Sequence, residues 1–217
     1  KARVLGIDPA ENIAAIANGR GIETIPEFFD RELATRILRQ YGPAKVIAGS
    51  NVIAHVDDLD SVLGGVRELL RDDGIFVFEV HWVNDLIGHR GFDQIYHEHV
   101  SYFGLPPLLR LLQRLGLEAF EAQVIPIHGQ LLRVFARKAP GGEPPDASLR
   151  EIEKQELAAG LADLETYQHF GASIAGAKLK LVSMLRDLKR QGKQIVGYGA
   201  PAKGNIILNY CGIDTTL

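Results

Sequence analysis

Short apolar runs of strand length alternate along this chain with stretches whose apolar residues recur every three or four positions. That is the pattern of β–α units packed around a sheet. Residues 2–7 (ARVLGI) predict a short buried strand ending in Asp8-Pro9, and 11–18 predict a helix that Gly19 stops. Asp30 is suited to cap a helix running to Gln40, which Tyr41-Gly42-Pro43 closes. Residues 45–50 predict a second buried strand, and Asp57-Asp58 precede a helix over 59–70. Residues 74–80 predict a third strand, so nearly all apolar that it reads as central in the sheet.

The periodicity then fails. Residues 81–103 are irregular, rich in histidine and aromatics and too polar for core, and loops of that length usually carry function. A helix over 106–115 follows, ended by Gly116. Residues 118–127 and 130–138 read as an antiparallel hairpin around His128-Gly129. The segment 139–147 (APGGEPPDA) holds three prolines and marks a linker and domain boundary. Beyond it, 148–190 has a helical pattern with a break expected at Gly171. Residues 193–199 predict another buried strand, which turns through 199–204 into a helix over 205–210. The expected fold is α/β: a Rossmann-like core with a mostly parallel sheet and a C-terminal antiparallel hairpin, followed by part of a second α/β domain.

Composition narrows the class. At 217 residues the chain has room for one domain and part of another. A net charge of −3 and a pI near 6.2 argue against a nucleic-acid or anionic-membrane partner. No apolar run reaches the roughly 20 residues of a membrane span, and no signal peptide opens the chain. The single Cys211 excludes a disulfide framework or a multi-cysteine zinc site within these residues. The expected location is the cytoplasm.

Candidate chemistry clusters at strand ends, where open α/β sheets bind ligands. Asp8 is placed to accept ribose hydroxyls from a nucleotide cofactor, or simply to cap the following helix. The glycine-rich turn that accompanies such an acid would be expected about 20 residues earlier, before Lys1. Polar Asn51 and His55 after the strand over 45–50 would face the same cleft, or would form a capped loop. In the irregular loop, His81, His89, His97 and His99 fall within nineteen residues. This density allows an acid–base site with neighbouring Tyr96 and Glu98. It also allows a structural rim, or a metal site using His97 and His99. Gly199, Ala200 and Gly204 with Lys203 at a helix start suit a phosphate, and equally a plain strand–turn–helix junction.

These segments also resemble a known family. FDQIYHEHVSYF, preceded by FVFEVHWVNDLI and followed by IPIHGQLLRVFARK and GYGAPAKGNIILNYCGI, is similar to the S-adenosylmethionine-dependent sugar C-methyltransferases acting on nucleotide-linked deoxysugars. The similarity runs from LGIDPA to NYCGI in the same order. It implies a methyltransferase domain over 1–138 lacking its first β–α unit, a linker over 139–147, and the start of a nucleotide-sugar domain over 148–217. The family's zinc belongs to an N-terminal domain outside these residues, and no metal site is expected here. The family's catalytic motif falls on Tyr96, Glu98 and His99, with a further histidine at His55. Cofactor contacts fall on Asp8, Pro9, Ser50 and Asn51. Substrate contacts fall on His128, Gly129, Tyr198, Gly199, Lys203 and Asn205, although Gln130 stands where the family often has a second glycine.

The implied reaction moves a methyl from S-adenosylmethionine, leaving S-adenosylhomocysteine, to a carbon beside a ketone of a nucleotide-linked deoxysugar, expected to be a TDP sugar. His99 would take the proton, Glu98 would orient or tune it, and Tyr96 and His55 would donate to the enolate oxygen or relay the proton. The competing readings are a non-catalytic binding or scaffold fragment of the same fold and a metal-dependent enzyme built on the histidine loop.

Overall fold

The computed structural model describes residues 2–127, 129–199 and 201–216. Its elements follow the order β1 (Gly6–Ile7), α1 (Glu11–Gly19), β2 (Thr24–Ile25), α2 (Arg31–Tyr41), β3 (Ala44–Ser50), α3 (Leu59–Leu69) and β4 (Leu70–His81). Then come α4 (Val83–Gly88), α5 (Leu105–Arg114), β5 (Leu117–Ile125), β6 (Leu131–Lys138), α6 (Ala147–Ala158), α7 (Leu164–Arg190) and α8 (Ala202–Cys211). Two 3-10 turns, Ile53–His55 and Phe92–Gln94, lie in the connections.

The strands form two sheets, one parallel and one mixed. β1 and β2 make a two-stranded parallel sheet, and four strands pair in the order β3-β4-β6-β5. β3 runs parallel to β4, while β6 runs antiparallel to both β4 and β5. The hairpin expected around His128-Gly129 is therefore formed, and the strand expected to be central has a neighbour on each side.

Capping residues set the helix starts. Asp30 accepts from the Leu33 amide at 2.7 Å, and Asp58 accepts from the Ser61 amide at 2.9 Å. Helices α2 and α3 then pack closely. A Cβ on Gly65 of α3 would lie 2.9 Å from the Asp30 carbonyl, so only glycine allows this approach. One face of the larger sheet is buried. Phe76, Phe78 and Val80 of β4 pack against Val62, Leu63 and Val66 of α3 and against Leu105, Leu108 and Leu112 of α5. Each fully buried leucine contributes roughly 1.5–3 kcal/mol. α6 joins the same core through Leu149 and Ile152. Its buried Glu156 accepts from the Trp82 indole and the Leu105 amide, both at 2.7 Å.

Several expectations need correction. The predicted strand over 2–7 is paired only at Gly6–Ile7, and Val4 is exposed. The strand over 45–50 exists but is not buried. It pairs on one side only, and Val46 is 60% exposed. The run 193–199 is not a strand: no ladder partner is offered to its backbone among the described residues, and Val196 and Tyr198 stand in solvent. The break in the long helical region falls at 159–163, where Gly160 takes φ +70°, and Gly171 sits inside α7. β2 and α4 are short elements that the periodicity did not disclose.

Among the described residues no helix is long and apolar enough to cross a membrane.

Candidate active site

The irregular stretch after β4 is held in place by backbone hydrogen bonds. The amides of Val100 and Ser101 both donate to the Ala54 carbonyl, at 2.9 and 3.2 Å. This ties the histidine-rich loop to the turn Ile53–His55 that follows β3. The His99 amide closes a turn on the Tyr96 carbonyl at 3.0 Å. Three sequence segments thereby converge on one ring.

That ring is His99. Its centroid lies 4.3 Å from Tyr96, 4.4 Å from His81 and 5.0 Å from His55. His99 Nδ1 sits 2.7 Å from the Gln94 carbonyl oxygen, which can only accept, so Nδ1 carries the proton. The lone pair is then on Nε2, and the Tyr96 hydroxyl donates to it at 3.2 Å. Tyr102 donates to the same Gln94 carbonyl at 2.8 Å. Burial pushes the His99 pKa below its ordinary value. The hydrogen bond to Gln94 opposes the shift, and the charges of His55 and Lys203 reinforce it. Burial also raises the Tyr96 hydroxyl, with the Glu98 carboxylate adding to the rise. The arrangement is a neutral imidazole with a fixed tautomer and a phenol that stays protonated.

His55 Nδ1 donates to the Glu98 carbonyl at 2.7 Å, leaving its other nitrogen toward solvent. Of the two roles expected of Glu98, orienting or tuning, the geometry fits tuning. Its carboxylate is exposed and does not orient the base, because the Gln94 carbonyl holds the His99 ring. Glu98 acts on His99 through charge alone, raising its pKa against the effect of burial. His97 is exposed and its ring faces Tyr96 at 6.4 Å rather than pairing with His99. Among the described residues no group of three or more histidine, cysteine, aspartate or glutamate side chains could hold a metal ion.

The other strand ends carry the remaining positions. At the end of β1, Asp8 Oδ1 accepts from the Ala10 amide at 2.9 Å in a local turn, α1 has no side-chain cap, and the second carboxylate oxygen is left over. Pro9 is exposed beside it. At the end of β3, Asn51 adopts φ +53°, rare for a non-glycine residue, and its Oδ1 is buried with no hydrogen-bond partner among the described residues. A strained turn holding an unpaired buried acceptor suits a ligand that donates there. The residues thus fit a cofactor with hydroxyl and amino groups: Asp8 and Asn51 would hold it. Ser50 spends its hydroxyl proton on Glu79 at 2.6 Å and keeps only acceptor lone pairs for a ligand.

Helix α8 packs on the loop, with Tyr210 and Phe92 rings 5.2 Å apart, and this brings the half-buried Lys203 close enough for His99 to sense its charge. The other expected substrate contacts are less gathered. Asn205 is occupied with Asn209 at 2.9 Å, Tyr198 is fully exposed and Gly199 takes φ +90°. Gly129 also has positive φ, +95°, and a Cβ there would lie 2.6 Å from Asp85 Oδ2. His128 lies outside the described residues. Gln94, Tyr102, Glu79 and Arg133 escaped the sequence reading. Gln94 acts through a backbone carbonyl, which no side-chain pattern reveals, but a glutamate inside the apolar run FVFEV was a visible signal.

The α/β fold is that of a methyltransferase domain. Residues 2–122 match the methyltransferase domain family, to which the chain belongs, and residues 126–217 match the C-methyltransferase C-terminal domain. The chain is 36% identical over 211 residues to C-methyltransferase NovU of Streptomyces niveus, covering 97% of this chain and 50% of that protein. It therefore spans about half the length of this curated relative. Similar solved structures include a SAM-dependent methyltransferase from Thermotoga maritima (17% identity, TM-score 0.47, 62% of this chain and 72% of that one). Another is the magnesium protoporphyrin IX methyltransferase of Synechocystis PCC 6803 (10% identity, TM-score 0.47, 64% and 65%).

Proposed function

We propose that the protein transfers a methyl group from S-adenosylmethionine to a carbon beside a ketone of a nucleotide-linked deoxysugar, a TDP sugar by preference, with His99 as the base. The observation that carries this reading is the fixed tautomer of His99. A carbonyl acceptor on Nδ1 leaves a lone pair on Nε2, inside a pocket that favours the neutral ring.

In this mechanism His99 Nε2 takes the proton from the substrate carbon, and the electron pair moves onto the carbonyl oxygen as an enolate. The Tyr96 hydroxyl is only loosely held at 3.2 Å, so it turns from Nε2 to the developing oxyanion. His55 gives its Nδ1 proton to the Glu98 carbonyl, so its Nε2 is an acceptor and serves to relay the proton. S-adenosylmethionine, when bound, supplies an electrophilic methyl group on a sulfonium sulfur. Asp8 and Asn51 hold that cofactor from the ends of β1 and β3. Lys203 at the start of α8 meets the sugar's diphosphate, and Gly129 leaves room for the sugar beside Asp85. We place the division of the chain at 139–147, with α6 beyond it returning to pack on the core of the cofactor-binding part. We assign the reaction to the cytoplasm, where the Cys211 thiol stays reduced.

The test is methyl transfer by the full-length protein to a panel of keto-deoxysugar nucleotides. His99→Asn should abolish transfer while binding of S-adenosylmethionine survives. A His99→Asn variant with near-wild-type turnover would remove His99 from the mechanism. Transfer to oxygen or nitrogen acceptors alone would overturn the reaction type.

A further inference from the structure

A row of polar side chains crosses the exposed face of the larger sheet just below His99. Ser50 of β3, Glu79 of β4 and Arg133 of β6 are direct cross-strand neighbours, in register Ser50↔Glu79 and Glu79↔Arg133. The Ser50 hydroxyl donates to Glu79 Oε2 at 2.6 Å. Arg133 donates to Glu79 Oε1 from Nε at 2.8 Å and from its terminal nitrogen at 2.6 Å. The carboxylate is fully engaged and its side chain only 12% exposed. These partners hold its pKa below the ordinary value, the Ser50 hydrogen bond most of all, although burial works the other way.

The row has a direction. On one side Glu79 grips the last residue of β3, immediately before Asn51 with its positive φ and buried unpaired Oδ1. Two residues further along β4, on the same face, stands His81, whose ring packs 4.4 Å from His99. A charge inside the apolar run 75–80 of β4 is costly to bury, and here it is matched by one hydroxyl and one guanidinium. A left-handed asparagine persists only where its surroundings hold it. Glu79 bonds the side chain of Ser50, the residue immediately before Asn51.

We infer that Glu79 is a positioning residue for cofactor binding: by clamping Ser50 against Arg133 it keeps the Asn51 turn in the geometry that receives S-adenosylmethionine. This rests on the reading of Asn51 as a cofactor contact. It adds a residue that acts through Ser50 and not by touching the ligand.

The experiment is isothermal titration of S-adenosylhomocysteine into the full-length protein and its Glu79→Ala, Glu79→Gln and Ser50→Ala variants, with thermal melts of each. Glu79→Ala and Ser50→Ala should each weaken binding about tenfold or more, and the double variant should lose no more than the worse single, because both break one link. Glu79→Gln keeps an acceptor for Ser50 and should recover most of the affinity. In turnover, the KM for S-adenosylmethionine should rise, with kcat and the KM for the sugar within about threefold of wild type. Wild-type affinity in folded Glu79→Ala overturns the inference, as does additive loss in the double variant. If Glu79→Ala melts before titration, Glu79→Gln and Ser50→Ala decide: a Glu79→Gln variant as weak as Ser50→Ala rejects the clamp. Because titration needs no sugar, a wild type that binds S-adenosylhomocysteine yet methylates no keto sugar would refute the proposed reaction and leave this inference standing.

Discussion

Replacing Glu156 separates what its hydrogen bonds contribute from what its charge costs. The side chain is 3% exposed, and one oxygen, Oε1, accepts both the Trp82 indole and the Leu105 amide. Leu105 opens α5, so its amide has no partner within its own helix. In Glu156→Ala two buried donors lose their acceptor. Each orphaned donor costs about 1–3 kcal/mol, and removing a desolvated carboxylate returns part of that, leaving about 2–4 kcal/mol of net destabilisation. For a chain of this size this lowers the melting temperature by roughly 4–16 °C. Glu156→Gln keeps an oxygen in place for both donors and removes the charge, so it should stay within about 1 kcal/mol of wild type. The pH dependence gives an independent reading. Burial raises the Glu156 pKa, against the two hydrogen bonds. The folded chain therefore holds a proton that the unfolded chain releases, and stability falls as pH rises from about 4.3 toward the raised folded value. Glu156→Gln should lose that slope. Thermal and urea melts of both variants between pH 4 and 8 are the assay. Equal destabilisation by glutamine and alanine would refute the reasoning, because charge rather than the shared acceptor would then hold α5 and α6 together.

With the His99 pKa lowered mainly by burial, the acid limb of kcat/KM against pH should lie below the ordinary imidazole value of about 6.5. Lys203→Met should move that limb to higher pH and raise the KM for the nucleotide sugar; an unmoved limb would mean His99 does not sense this lysine. Gly129→Ala meets both a positive φ and the Asp85 carboxylate, so it should cost about 1–3 kcal/mol in a thermal melt, whereas Gly142→Ala, with open space around it, should cost little. A polypeptide limited to residues 1–217 has open edges on β1 and β3 and an exposed Val46, so light scattering should detect self-association at micromolar concentration.

The parts of the fold that the chain announces are those where local pattern and tertiary context agree. Asp30 and Asp58 cap the helices their positions suggest, and β5 pairs antiparallel with β6 as the two strand-like runs suggest. Apolarity misleads where no partner is present: 193–199 reads as a strand because Ile195 and Val196 are β-branched, yet a strand needs a neighbour to accept its hydrogen bonds. In the site, histidine density and motif similarity lead to His99, Tyr96 and His55. What they miss is how these are held. The acceptor that fixes His99 is a main-chain carbonyl, and the clamp at Glu79 depends on a cross-strand register that no linear spacing encodes. Glu98 shows the converse. A carboxylate next to a histidine in sequence suggests an orienting pair, but the turn at 96–99 sends it to solvent.

The central claim is that His99 removes a proton from a carbon beside a ketone, and this step can be watched without methyl transfer. The full-length protein is incubated with a keto-deoxysugar nucleotide and S-adenosylhomocysteine in deuterated water, and deuterium at the carbon beside the ketone is followed by NMR. The wild type should exchange that proton, and His99→Asn, with S-adenosylhomocysteine still bound, should slow the exchange by about 10²-fold or more. Exchange at the wild-type rate in His99→Asn would contradict the account.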